Sequence, residues 1–139
     1  MAVVVFYEKP GCANNAKQKQ WLRESGHDVI EQNILTHYWS ANELLRFFNT
    51  LPVPQWFNQS SPRVKHGEIK PETLEPKQAI ALMLADPLLI RRPLMLVNGV
   101  VMVGFDRDAV DRWIGLSKKT AAGNLEACSK ITSKPSLVA

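Results

Sequence analysis

Residues 2–26 read AVVVFYEKPGCANNAKQKQWLRESG. The run from Ala2 to Glu8 is β-branched and aromatic, and Lys9-Pro10-Gly11 closes it, which predicts a buried strand ending in a turn. From Asn14 to Ser25 the pattern turns helical, with Ala16, Trp21 and Leu22 apolar against Lys17, Gln18, Lys19, Arg23 and Glu24. Asn14 or Asn15 is expected to cap this helix, and Gly26 to stop it. Cys12 therefore falls where a strand hands over to a helix N-terminus. Unpaired amides and the helix dipole favour an anion there, so a thiolate and a reactive sulfur are expected. The competing reading is a lone cysteine used as a small buried hydrophobe.

Working outward, HDVIEQNIL (27–35) alternates Val29, Glu31 and Asn33 against Ile30, Gln32 and Ile34, which predicts a second strand. Ser40 opens a helix, SANELLRFFNTL (40–51), with Glu43 at the capping-box position. Leu44, Leu45, Phe47 and Phe48 should face a core. A Pro-rich zone follows, PVPQWFNQSSPRVKHGEIKPETLEP (52–76), expected to form short helical turns and a surface loop. PKQAIALMLADP (76–87) is a helix with Pro76 near its start and Pro87 just past its end. In RRPLMLVNGVVMVGF (91–105) two apolar runs flank Asn98-Gly99, the signature of a two-residue type I′ hairpin. Asp106 starts a closing helix over 106–116.

The element order is βαβ, then helices, then a β-hairpin and a helix. That order predicts an α/β, thioredoxin-like fold: a four-stranded mixed sheet with a helical insertion at about 40–87 between a βαβ unit and a ββα unit. Residues 1–116 would form the domain. Residues 117–139 are rich in Ser, Lys and Thr without periodicity and are expected to be a mobile tail.

With 139 residues, 45% hydrophobic and 22% charged, the composition is that of a single globular domain. AIALMLA (79–85) and similar runs fall far short of a bilayer span, so no membrane association is expected. The N-terminus lacks a basic region and a long apolar core, and no signal peptide is read there. A cytoplasmic location with reduced thiols is the expectation, and a structural disulfide is not. The formal net charge of +4 invites nucleic acid, but the basic residues are dispersed and no aromatic-interleaved basic stripe appears, so nucleic-acid binding is not expected. His27, His37 and His66 show no ligand spacing with one another or with either cysteine, and no metal is expected.

Four pieces resemble the arsenate reductase (ArsC) and Spx family of glutaredoxin-like proteins: KPGC (9–12) between strand and helix, DPLLIRRP (86–93), LVNGVVMVGFD (96–106) and DAVDRWIG (108–115). The resemblance covers residues 2–116. The wording of WFNQSSPRVKHGEIKP (56–71) is similar to the branch described as nitrogenase-associated. The resemblance implies Cys12 as catalytic nucleophile, Arg92 as anion binder and a cis Arg92–Pro93 bond that shapes a groove for an extended peptide or glutathione. The departures are specific. The family's middle arginine falls at about Asn58 and its last at about Gly104, its histidine before the cysteine is replaced by Glu8, and the second cysteine of Spx proteins falls at Asn15. Inheritance of arsenate chemistry or of a two-cysteine switch is therefore not implied.

With no cysteine at position 15, a thiol that clears a Cys12 intermediate would come from glutathione, a protein partner, or Cys128. Cys128 also reads as an exposed thiol without function. Asn14 and Asn15 could cap the helix and also donate to a bound anion. Arg63, with Lys65, His66 and Lys70, could stand in for the missing arginines, against a plain solvated loop. Glu8 is expected to be solvated, since a carboxylate facing Cys12 would oppose the thiolate. Trp39, Trp56, Phe57 and Trp113 read most simply as core or loop anchors.

Two functions follow as expectations. One is a single-cysteine, glutathione-dependent thiol reductase of arsenate reductase type, with glutathione as co-substrate and no bound cofactor. The other is a Spx-like, non-catalytic module that grips a protein partner linked to nitrogen fixation through an exposed Trp/Phe loop around residues 52–66.

Overall fold

The computed structural model describes residues 1–117. Strand β1 (Val3–Glu8) is followed by helix α1 (Ala13–Glu24), β2 (Asp28–Asn33), α2 (Ala41–Phe48), the short α3 (Pro62–Lys65), α4 (Pro76–Ala85), β3 (Leu94–Val97), β4 (Val100–Val103) and α5 (Arg107–Ile114). Three 3₁₀ turns, Val53–Trp56, Pro71–Thr73 and Pro87–Leu89, punctuate the segment between β2 and β3. The strands form one sheet in the order β2-β1-β3-β4, with β1 and β2 parallel and the other pairs antiparallel. This is the mixed four-stranded sheet that the element order predicts.

The alternation of β1 builds two apolar layers. Val4 and Phe6 point to one side and pack with Trp21, Leu22, Phe105 and Val110 of α1 and the α5 region. Tyr7, with partly buried Val5, points to the other side, into a larger core with Trp39, Leu44, Phe47, Phe48 and Met83. Each fully buried Phe or Leu contributes about 1.5–3 kcal/mol relative to exposure. The helical segment between β2 and β3 thus covers the sheet face that α1 and α5 leave open.

The hairpin forms as expected, with positive φ at Asn98 (48°) and Gly99 (80°). Arg46 Nη2 donates to the Gly99 carbonyl at 3.0 Å and ties α2 to it. Helix α2 departs from a full capping box. Ser40 Oγ accepts from the Glu43 amide at 3.1 Å, but the Glu43 carboxylate turns to His37 Nε2 at 3.0 Å. The reciprocal bond appears instead at α4, where the Glu75 amide donates to Gln78 Oε1 at 2.9 Å.

The Pro-rich zone corrects one expectation. Its aromatic residues are not an exposed contact surface: Trp56 and Phe57 are buried. Trp56 stacks on Phe48 with ring centroids 5.1 Å apart, and its Nε1 donates to the Leu51 carbonyl. Phe57 bridges Ile90, and the Asn58 and Arg91 amides bond to Leu89 and Trp56 carbonyls. An indole or phenyl ring next to a core reaches lower free energy inside it than on a loop tip. This pairing also braces the chain immediately before Arg92. The tail reading and Cys128 lie outside the described residues.

Candidate functional site

Helix α1 begins one residue earlier than the asparagines suggest, because Cys12 is itself the N-cap. Its backbone is extended, and its Sγ accepts from the Asn15 amide at 3.4 Å. The Cys12 amide donates back to the Lys9 carbonyl at 3.1 Å, closing the Lys9–Cys12 turn. Gly11 takes φ 85°, a left-handed conformation that a side chain would strain. The sulfur thus faces the amide end of α1, a position where the helix dipole favours an anion. It is not a free thiol in this structure: Cys12 is disulfide-bonded, contrary to the expectation of reduced thiols.

Asn14 and Asn15 do not cap the helix. They lie on its inward face with Gln18, Trp21 and Leu22, all buried. Asn15 is fully buried and acts as a staple: Oδ1 accepts from the Lys9 amide at 3.2 Å and Nδ2 donates to Gln18 Oε1 at 3.0 Å. Those bonds are why a polar side chain can occupy this position without the penalty of an unmet amide. Ala16, which reads as a core residue by apolarity, is exposed. The buried stripe of this helix is partly polar, so hydrophobic periodicity misplaces its register.

Arg92 reaches the same end of the sheet by strand register. Tyr7 lies opposite Leu94, so the cis Arg92–Pro93 bond stands across from the end of β1, where the chain turns into Cys12. The Arg92 side chain is buried, with 8% of the residue exposed, and its Nε and Nη1 meet no hydrogen-bonding partner among the described residues. Burial lowers its pKa from the ordinary arginine value, yet a guanidinium stays charged under all ordinary conditions. Open N–H groups on a buried cation carry a desolvation cost that pairing with an anion would relieve. Neighbouring Arg91 is engaged through Nη1 with the Gln55 carbonyl.

Arg63 is not brought to this site. Its Nη1 donates to Asp86 at 2.9 Å and its Nε to Glu68 at 3.0 Å, closing the loop around α3 onto the end of α4. The two positions where the resemblance lacks arginines are also explained locally. Asn58 Nδ2 donates to the Leu88 carbonyl, and Gly104 adopts φ 79° while its amide donates to Pro93 at 2.8 Å. An arginine at position 104 would have to occupy that left-handed conformation.

A cleft of about 480 Å³ opens beside Cys12, lined by Glu8, Cys12, Lys19, Glu31 and Asn33 among others. Glu8 is not solvated: it is 6% exposed, and its Oε2 accepts from Lys19 Nζ at 2.9 Å. Lys19 also reaches Glu31 Oε2 at 2.9 Å, and Arg23 Nη2 reaches the same oxygen at 3.1 Å. Desolvation pulls the Lys19 pKa down, but the hydrogen bonds and charges of Glu8 and Glu31 outweigh it and leave the value raised. Glu31 is correspondingly lowered, by its bonds to Lys19 and Arg23. Sequence reading missed Lys19 and Glu31. The signal lies in register: Glu31 pairs with Phe6, and Phe6 and Glu8 share the face that α1 covers.

The comparisons with known proteins agree with this fold. The sequence profile of the ArsC family matches residues 7–113. An uncharacterised 15.7 kDa protein in the draG 3′ region of Rhodospirillum rubrum is 50% identical over 92% of this chain and 89% of its own. The global transcriptional regulator Spx 2 of Bacillus cereus is 26% identical over 85% of this chain and 92% of its own. Among solved structures, a putative ArsC family related protein from Bacteroides fragilis superposes with a TM-score of 0.70 at 27% identity, covering 78% of this chain and 97% of that one. Among the described residues, no helix is long and apolar enough to cross a membrane.

Proposed function

The chain belongs to the ArsC family, and from that premise we propose that it is a single-cysteine thiol reductase in which Cys12 is the nucleophile and Arg92 holds the anionic part of the substrate. The observation that carries this reading is the bond from the Asn15 amide to Cys12 Sγ at 3.4 Å, which aims the sulfur at the helix N-terminus. The open Nε and Nη1 of buried Arg92, at the same end of the sheet, supply the anion receptor.

In the reduced protein, the Cys12 thiolate attacks one sulfur of a substrate disulfide. A Cys12–substrate disulfide forms and the other substrate sulfur leaves as a thiolate, which takes up a proton. A second thiol, from glutathione or a protein partner, then attacks the substrate-side sulfur. This returns the Cys12 thiolate and carries the oxidation away as a new disulfide. Asn15 positions the turn rather than the substrate, because its amide is already bonded to Gln18. Asn14, buried on the same first turn, is the amide closest in sequence that could add a bond to the anion. Arsenate is disfavoured as substrate, since Asn58 and Gly104 stand where the family's additional arginines fall.

A cytoplasmic setting follows from this glutathione chemistry. The similarity of residues 56–71 to the nitrogenase-associated branch favours a place beside nitrogen fixation. A second reading, a partner-gripping module without turnover, is favoured by the 26% identity to a relative named as a transcriptional regulator. One experiment separates them: glutathione-dependent reduction of a small mixed disulfide by wild type, Cys12→Ser and Arg92→Ala. Turnover abolished by Cys12→Ser and weakened by Arg92→Ala supports the reductase. No turnover in wild type, with partner capture unaffected by Cys12→Ser, supports the module.

A further inference from the structure

We propose that Lys19 is a positioning residue for Cys12, acting through Glu8: it holds the Glu8 carboxylate so that no unbalanced negative charge faces the sulfur in their shared cleft. This inference rests on the Cys12 chemistry proposed above and names a control on it.

The geometry begins with β1. Glu8 continues the Val4–Phe6 face, so its side chain turns under α1 and not to solvent; only 8% of that side chain is exposed. Four residues later the chain has turned through Lys9–Cys12 and brought the sulfur to the N-terminus of the same helix. Glu8, Cys12 and Lys19 consequently line one cleft. A lone carboxylate there would oppose formation of a second anion on Cys12. Lys19 sits on α1 above both strands, and its side chain, 14% exposed, bonds Glu8 and Glu31 at 2.9 Å each.

The charged groups around Glu8 and Cys12 come from each neighbouring element. They are Glu8 from β1, Lys19 and Arg23 from α1 and Glu31 from β2, with Lys9 next to Glu8 in sequence and Arg92 preceding β3. Arg23 balances Glu31 at 3.1 Å. Lys19 is the partner that the structure gives to Glu8. A buried carboxylate at position 8 is matched by a lysine that arrives from the helix at 2.9 Å.

The test is the pH dependence of Cys12 alkylation by iodoacetamide, on reduced protein in a Cys128→Ser background so that one sulfur reports. Lys19→Met should move the midpoint up by about half a unit or more, since it leaves a carboxylate uncompensated in the cleft. Lys19→Arg should restore the parent profile. Glu8→Gln combined with Lys19→Met should also return it, which a merely structural role of Lys19 would not do. An unmoved midpoint in Lys19→Met overturns the proposal. So does a double variant that keeps the full shift, because Lys19 would then act on the sulfur directly. Should Lys19→Met fail to fold by circular dichroism, Glu8→Gln alone decides: the midpoint must fall, and an unmoved midpoint refutes the role. A parent midpoint at the free-cysteine value of about 8.5 refutes the reactive-thiol reading while the Lys19 comparison stays readable. A low parent midpoint that ignores Lys19 and Glu8 refutes this inference alone.

Discussion

The backbone amide of Asn15 donates to the sulfur of Cys12 at 3.4 Å, so the candidate nucleophile is also the residue that caps α1. Capping and chemistry then separate by substitution. Under reducing conditions, Cys12→Ser should retain stability, because a hydroxyl caps well, while abolishing thiol-dependent turnover. Cys12→Ala should lose both, at about 1 kcal/mol of stability. Urea unfolding beside a turnover assay checks the pair; equal destabilisation by both substitutions would show that the sulfur is not the cap.

Asn15 carries a different burden. Asn15→Ala removes the acceptor of the Lys9 amide and the donor to Gln18 Oε1. A loss of roughly 1–3 kcal/mol is expected from unmet buried groups, read as a lower urea midpoint with an unchanged slope.

Arg92 should display a conflict between stability and function. Its buried guanidinium has open Nε and Nη1 groups, so Arg92→Met should raise stability in anion-free buffer by about 1–3 kcal/mol of relieved desolvation, seen as a higher melting temperature. The same substitution should remove any stabilisation of the wild type by added sulfate or phosphate. A thermal shift series with and without anion reads both effects, and an Arg92→Met variant less stable in anion-free buffer would count against an open receptor.

The Lys19 network sets an alkaline limit. Its pKa is raised, so its contribution to stability is fully present below the unfolded lysine value, about 10.4, and is lost as pH rises through the higher folded value. Lys19→Met should therefore flatten the alkaline decline in stability between those two values. Chemical denaturation from neutral pH into that range is the measurement.

His27 latches the two ends of the described chain. Its Nδ1 accepts from the Ala2 amide at 3.0 Å, which places the ring proton on Nε2, where it donates to the Gly115 carbonyl at 2.7 Å. His27→Ala should cost roughly 1–3 kcal/mol. Amide exchange at Ala2 should accelerate, whereas the central residues of β1 should keep their protection.

The strand-turn-helix at the N-terminus, the Asn98-Gly99 hairpin and the element order were legible in the residues, because each depends on local backbone preference and short-range periodicity. Cys12 was legible for the same reason: its place at a helix start is a matter of neighbours in sequence. The polar inner face of α1, the burial of Trp56 and Phe57, and the Lys19 bridge were not. Those depend on contacts between groups apart in sequence, such as Phe57 with Ile90 or Lys19 with Glu8 and Glu31 at 2.9 Å. Only strand register and helix docking decide that. Sequence alone determined where a reactive sulfur could stand, through the conformational rules of a strand ending in a helix. Tertiary structure decided which charges surround it, because a carboxylate is solvated or buried according to what packs over it.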